Sequence, residues 1–148
     1  MANDQKTRLL FYERPYEFLI MNEIERSQLI LKILNKTYPK TSIPLKHTNN
    51  FTLLISVLLS AQCTDLNVNN VTKNIYPKYN KPKHFIKLGR KKIEKLIKSI
   101  GLFRVKAKSI YYLSKQLIEN YDEKVPKTFE ELEKLPGVGH KTASVVMS

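Results

Sequence analysis

Apolar residues recur along this chain at helical spacing and almost never alternate as they would in strands. Over residues 22–37, Ile30, Ile33 and Leu34 fall on one face, with Ile24 upstream of them, which predicts a first helix. From about Asn50 to Ala61 the pattern changes. Phe51, Leu53, Leu54, Ile55, Val57, Leu58 and Leu59 leave no polar side, as in a helix buried all round. The run breaks at Gln62-Cys63-Thr64-Asp65, where Thr64 or Asp65 can cap a third helix carrying Val68, Val71 and Ile75 on one face.

A short fourth helix, His84 to Leu88, is ended by Gly89, and a fifth carries Ile93, Leu96, Ile97 and Ile100 before Gly101. A sixth runs from about Arg104 to Tyr121, with Ala107, Ile110, Ser114, Leu117 and Tyr121 at helical intervals. After a loop around Pro126, Thr128-Phe129-Glu130-Glu131 has the layout of a capping box opening a seventh helix. Ala143, Val145, Val146 and Met147 start an eighth. The expectation is an all-α fold with short connections. Residues 1–21 lack a clean period and read as an N-terminal appendage, with Met21 an alternative start.

The seventh and eighth helices are joined by Leu135-Pro136-Gly137-Val138-Gly139-His140-Lys141-Thr142-Ala143, which makes residues 128–148 a helix–hairpin–helix. Pro136 drives Leu135 out of helical backbone. Gly137 permits a left-handed turn, and Gly139 removes a side chain that would block a close neighbour. Such a turn aims backbone N–H groups outward at a helix N-terminus, where phosphate binds. An ordinary turn would give the same Pro-Gly-x-Gly. Lys141 points away from that reading, because a cation in the first helical turn opposes the helix dipole and a helix built for stability would carry Asp or Glu there.

Charge adds a partner. The net charge is +13 over 148 residues, which implies a polyanion, most plausibly nucleic acid. Between Lys78 and Lys108 stand twelve basic residues against one acid, Glu94, so eleven of the thirteen net charges fall in that window. Lys91, Lys92 and Lys95 there alternate with the apolar face of the fifth helix. Each taken singly reads as a solvated lysine; the cluster, close in sequence to a phosphate-binding hairpin, reads as a track along a DNA backbone. One cysteine, Cys63, makes an internal disulfide impossible and suits a reducing compartment. No apolar run approaches the roughly 20 residues of a membrane span, and the N-terminus has no signal-peptide layout.

Two further segments carry candidate chemistry. Gln62 stands where the apolar second helix stops, and its amide can donate and accept, so it could take a base's place in a duplex. In Ile100-Gly101-Leu102-Phe103, Gly101 is expected to force a sharp turn. Phe103 reads as core, and Leu102 either as core or as a wedge between base steps.

These three segments, in this order and at these separations, resemble endonuclease III and the wider helix–hairpin–helix DNA glycosylases. The resemblance rests on Leu58-Leu59-Ser60-Ala61-Gln62-Cys63-Thr64-Asp65, on Ile100-Gly101-Leu102-Phe103-Arg104-Val105-Lys106-Ala107, and on Leu135 to Ala143. It covers about residue 22 to the end, so residues 22–148 are expected to be an incomplete glycosylase domain. The implied fold is a first helix and most of a six-helix barrel lobe, ending just inside the helix after the hairpin.

By the same resemblance Lys141 is the catalytic nucleophile. Gln62 and Leu102 fill the gap left by an extruded base, and Gly137, Val138, Gly139 and His140 hold phosphate. The implied activity is removal of oxidised pyrimidines from duplex DNA by a lysine Schiff base, followed by β-elimination at the abasic site. A helix N-terminus suits such an amine by disfavouring its ammonium. The adenine-removing branch of the family resembles this motif with serine in place of Lys141.

The family's catalytic aspartate follows the lysine, and its four-cysteine 4Fe–4S site comes later still. Both are therefore expected outside residues 1–148, in a longer protein of which this chain is an inactive piece, and no metal ligands are expected within the chain. The implied partner is double-stranded DNA with damaged or abasic sites, bound by a monomer in a bacterial-type cytoplasm at the nucleoid, or in an organelle or nucleus if the source is eukaryotic. The rival reading is a non-catalytic helix–hairpin–helix DNA-binding module or an inactive remnant; it accounts for the hairpin and the charge but not for Lys141, Gln62 and Leu102.

Overall fold

A computed structural model of the chain describes residues 20–38 and 44–148, and the description below is confined to them. The 1–21 appendage, apart from Ile20 and Met21, lies outside the described residues. Eight helices and no strand occur among the described residues, as expected for an all-α chain. The chain divides into two units after Ser42.

The first unit holds α1, Glu23–Thr37. Its start is a capping box in which the Asn22 side chain accepts from the Glu25 amide and the Glu25 carboxylate accepts from the Asn22 amide. None of its residues is buried; Arg26, Leu29 and Ile33 mark its less exposed side.

The second unit is organised around α2, Asn50–Ser60, whose residues Phe51 to Leu59 are all buried. Its two polar members are satisfied inside. Thr52 Oγ1 accepts from the amides of Thr48 and Asn49. Ser56 Oγ lies 2.6 Å from Tyr76 Oη, which also donates to the Thr52 carbonyl at 3.0 Å. Burial pushes the Tyr76 phenol well above the ordinary tyrosine value, partly offset by that bond to Ser56.

Around α2 pack α3 (Asp65–Thr72), α6 (Phe103–Tyr121) and α8 (His140–Met147). The remaining helices are α4 (Pro82–Leu88) and α5 (Arg90–Leu96), which lie on α6, and α7 (Phe129–Glu133), which lies on α8. Phe51 and Phe85 meet edge to face at 5.5 Å, joining α2 to α4.

Several local expectations change. α4 starts two residues early because Pro82 supplies its first helical position. Gly89 ends α4 and also begins α5, with φ 74. α5 stops at Leu96, since Ile97 leaves helical backbone at φ −106, so Ile97 and Ile100 are buried from a turn rather than from a helix. The Thr128 capping box is only half made. Thr128 Oγ1 accepts from the Glu131 amide, but the Glu131 carboxylate accepts from the Thr128 hydroxyl and not from its backbone.

Candidate active site and nucleic-acid interface

The hairpin is fastened to the core by Leu135, Val138 and Ala143, all buried. Its turn is set by Gly137 at φ 79. A Cβ there would stand 2.7 Å from Ser109 Cβ and 3.2 Å from Leu58 Cδ1, so this glycine lets the turn lie directly on α6 and α2. Gly139 behaves differently. Its backbone is extended, at φ −98 and ψ 177, and a Cβ would meet no atom of the described residues within 4 Å. The close neighbour expected at Gly139 is not found among the described residues.

The amides of the hairpin are not equivalent. The Val138 N–H donates to the Leu135 carbonyl at 3.1 Å, and its side chain is buried, so Val138 anchors the turn rather than offering a donor. Of the residues expected to hold phosphate, Val138 is thus the one whose amide is already paired. Gly139 has no side chain to cap α8, and the amides of Gly139, His140, Lys141 and Thr142 have no acceptor among the described residues. Four unpartnered donors at a helix start are able to receive an anion.

His140 packs back across the hairpin. Its ring stacks on Phe129 at 5.5 Å, and its Nδ1 lies 2.7 Å from Glu133 Oε1. Lys141 is exposed on the first turn of α8, and its ammonium has no partner among the described residues.

Gln62 and Leu102, 40 positions apart, come together at one edge of the unit. Both are exposed, and both hold left-handed backbone, at φ 55 and φ 57. Leu102 is 60% exposed, which settles it as a surface residue rather than core, whereas Phe103 packs against the core as expected. Gly101 does not make the sharp turn by its own left-handed backbone; Leu102 takes that conformation instead. A Cβ on Gly101 would touch the Gln62 carbonyl oxygen at 3.8 Å, which shows how closely the two loops run.

The residue that sequence reasoning missed is Lys106. Counted with the charged track, it is in fact 6% exposed, with Nζ donating to the carbonyls of Leu59 at 2.9 Å and Ala61 at 2.6 Å. It thus satisfies the C-terminal carbonyls of α2 and meets the negative end of that helix. Burial lowers its proton affinity below the ordinary lysine value, and Cys63 pulls in the other direction. Its position in α6, one residue before the buried Ala107, was the only sequence signal that it faces inward.

Lys91, Lys92 and Lys95 are exposed as expected. Lys91 and Lys92 line an open depression with Leu88, Gly89, Arg90, Tyr111 and Tyr112, and Arg90 is engaged by Glu94 at 3.4 Å. Gln62, Leu102 and the hairpin do not line that depression.

A four-cysteine iron–sulfur cluster needs four thiolates. The chain has one cysteine, Cys63, whose sulfur accepts from Asn67 Nδ2 at 3.3 Å. Among the described residues no three His, Cys, Asp or Glu side chains are grouped as metal donors. These residues do not make a cluster site.

Known proteins are similar to this chain. Residues 55–146 match the family described as HhH-GPD superfamily base excision DNA repair protein. The endonuclease III of Rickettsia prowazekii (strain Madrid E) is 50% identical over 119 residues, covering 80% of this chain and 56% of that protein. Endonuclease III of Bacillus subtilis (strain 168) is 44% identical over 128 residues, covering 86% of this chain and 58% of its own length. The chain thus spans somewhat over half the length of these curated relatives.

Among solved structures, a trapped covalent endonuclease III–DNA intermediate superposes with TM-score 0.77 at 45% identity, over 86% of this chain and 60% of the other. A thermostable thymine-DNA glycosylase gives TM-score 0.67 at 28% identity, over 75% of this chain and 52% of the other. With the hairpin, its lysine and the matched helices in one continuous stretch, this chain belongs to the HhH-GPD superfamily of base excision DNA repair proteins.

Proposed function

We propose that this chain is the lysine-bearing part of a DNA glycosylase and abasic-site lyase that acts on oxidised pyrimidines in duplex DNA. The observation that carries the reading is Lys141, exposed on the helix turn, where neither its ammonium nor the four amides have a partner among the described residues. Those amides would hold a backbone phosphate and so fix the sugar beside the amine.

The chemistry follows from the nucleophilic lone pair of an amine at that place. Lys141 Nζ attacks the sugar C1′ as the glycosidic bond breaks. The base leaves with the bonding electron pair and takes up a proton. The nitrogen loses a proton as the ring opens, giving an iminium. Loss of the C2′ proton then expels the 3′ phosphate, nicking the strand, and hydrolysis of the imine restores the amine. Reaching C1′ requires the damaged base to leave the stack, and Gln62 and Leu102 would occupy the space it vacates.

The likeness to endonuclease III–DNA complexes supports duplex DNA as the partner. The preference for damaged or abasic sites rests on Lys141, Gln62 and Leu102 together. The carboxylate partner and the iron–sulfur cysteines implied by the family are assigned to residues outside 1–148.

The test is borohydride trapping on abasic duplex DNA with the full-length protein. Lys141→Gln is expected to lose the trapped adduct and strand cleavage while still retaining the DNA in a gel. A trapped adduct that survives Lys141→Gln would assign the chemistry to another amine. The same residues 1–148 alone are expected to show little excision, since a positioned acid or base contributes on the order of 10²–10⁴-fold.

A further inference from the structure

Gln62 and Leu102 hold a backbone that neither residue favours. For a side chain with a Cβ the left-handed region costs roughly 1–2 kcal/mol. Gln62 occupies the position just past the end of α2, where glycine usually stands without strain. Next to Leu102 a glycine is present, but one residue early, at Gly101, which does not use it. Side chains are thus kept at two sites where backbone comfort alone would select glycine, and both are exposed. Such strain persists only where surrounding contacts over-determine it.

Those contacts converge on one residue. The Lys106 amide donates to the Leu102 carbonyl at 3.0 Å, and the Lys106 ammonium donates to the Ala61 carbonyl, which is bonded directly to Gln62, at 2.6 Å. Asn67 adds a second tie between the same loops: its Nδ2 lies 3.3 Å from Cys63 Sγ and 3.2 Å from the Ser99 carbonyl oxygen. The buried ammonium thus ties α6 to the end of α2, one residue before Gln62, by two charge-assisted hydrogen bonds whose loss would leave those carbonyls unpaired.

We propose that Lys106, seconded by Asn67, is a positioning residue that holds Gln62 and Leu102 in register as a two-residue insert for the DNA stack. This rests on the assignment of those two side chains to the gap left by an extruded base. Lys106 itself is buried and touches no DNA. Its function is to make the two loops one rigid piece, so that the energy of unstacking is not spent on ordering them at the same moment.

The experiment uses full-length protein and a duplex with 2-aminopurine opposite an abasic-site analogue, whose fluorescence rises when the probe base is unstacked. At saturating wild-type protein the fluorescence should rise. Lys106→Met, which keeps the stem and removes the donors, should retain DNA affinity within about threefold, because the hairpin is untouched. Its fluorescence rise at saturation should fall roughly tenfold as the inserted arrangement becomes a minor state. Circular dichroism establishes that the variant is folded. Should it fail to fold, Asn67→Ala decides in its place, with a severalfold loss of amplitude at unchanged affinity expected.

A folded Lys106→Met with the wild-type amplitude overturns the proposal, as does full amplitude in Asn67→Ala where that variant decides. A wild type that binds but gives no rise overturns the insertion reading itself, which separates the two failures.

Discussion

The two hairpin glycines should respond in opposite ways to the same substitution. At Gly137, alanine meets two penalties. Its φ of 79 is left-handed, costing about 1–2 kcal/mol for a residue with a Cβ. The new Cβ would also stand 2.7 Å from Ser109 Cβ and 2.8 Å from Ser109 Oγ, a backbone-proximal overlap that rotamer change does not relieve, adding about 1–3 kcal/mol. The sum, about 2–5 kcal/mol, is a large share of a typical domain's stability. A thermal melt should fall by on the order of 10 °C.

Gly139→Ala meets neither penalty, with extended backbone and open space, and should change stability by about 0.5 kcal/mol, the difference between glycine and alanine at a helix cap. It should instead weaken DNA binding if the proposed phosphate contact is made there, because the added methyl would occupy that space. Gly89→Ala serves as a backbone-only control: at φ 74 with nothing within 4 Å, it should cost about 1–3 kcal/mol. Ser109→Gly in the Gly137→Ala background should recover the overlap part and leave the backbone part, read as the coupling in a double-mutant cycle. A Gly137→Ala protein that melts with the parent would refute the crowding argument. So would a Gly139→Ala protein destabilised as much as Gly137→Ala.

Other outcomes can be stated briefly. Replacing Lys91, Lys92 and Lys95 together by Ala should weaken binding to all duplexes and reduce the slope of log K against log salt by about 2–3; an unchanged slope means that this face is merely solvated. Ser114 Oγ is buried without a hydrogen-bond partner among the described residues, so Ser114→Ala should raise stability by about 1 kcal/mol in a urea titration, and a loss would point to a partner for that hydroxyl. Tyr76→Phe strips the bonds to Ser56 and the Thr52 carbonyl and should cost about 1–3 kcal/mol near neutral pH. Because folding raises the Tyr76 phenol's value, its contribution is complete below the unfolded value of about 10 and is lost as pH rises above it. The gap between Tyr76→Phe and the parent should therefore shrink in titrations above about pH 10, and a constant gap would contradict the burial argument.

Gln62→Gly should raise the melting temperature by relieving left-handed strain, about 0.5–1 kcal/mol, while reducing the unstacking signal.

The amino-acid sequence by itself determined what local pattern can encode. A helix apolar on every side had to be central, and α2 is buried from Phe51 to Leu59. Pro-Gly-x-Gly between two helical periods had to be a turn, and Gly137 and Gly139 do lie between α7 and α8. The order of the three motifs was enough to place the chain beside its relatives.

Tertiary structure alone decided how those parts are spent. Sequence spacing assigned the close neighbour to Gly139, whereas the crowded glycine is Gly137, because the crowding comes from Ser109 and Leu58, 28 and 79 positions upstream of it. It counted Lys106 with the solvated lysines, because the carbonyls that bury it belong to a helix 45 and 47 positions away. It could not show that the Val138 amide is taken by the Leu135 carbonyl. Charge and periodicity are properties of a residue and its near neighbours; whether a donor is free, a cation paired or a glycine crowded depends on which distant backbone the fold brings within about 3 Å of it.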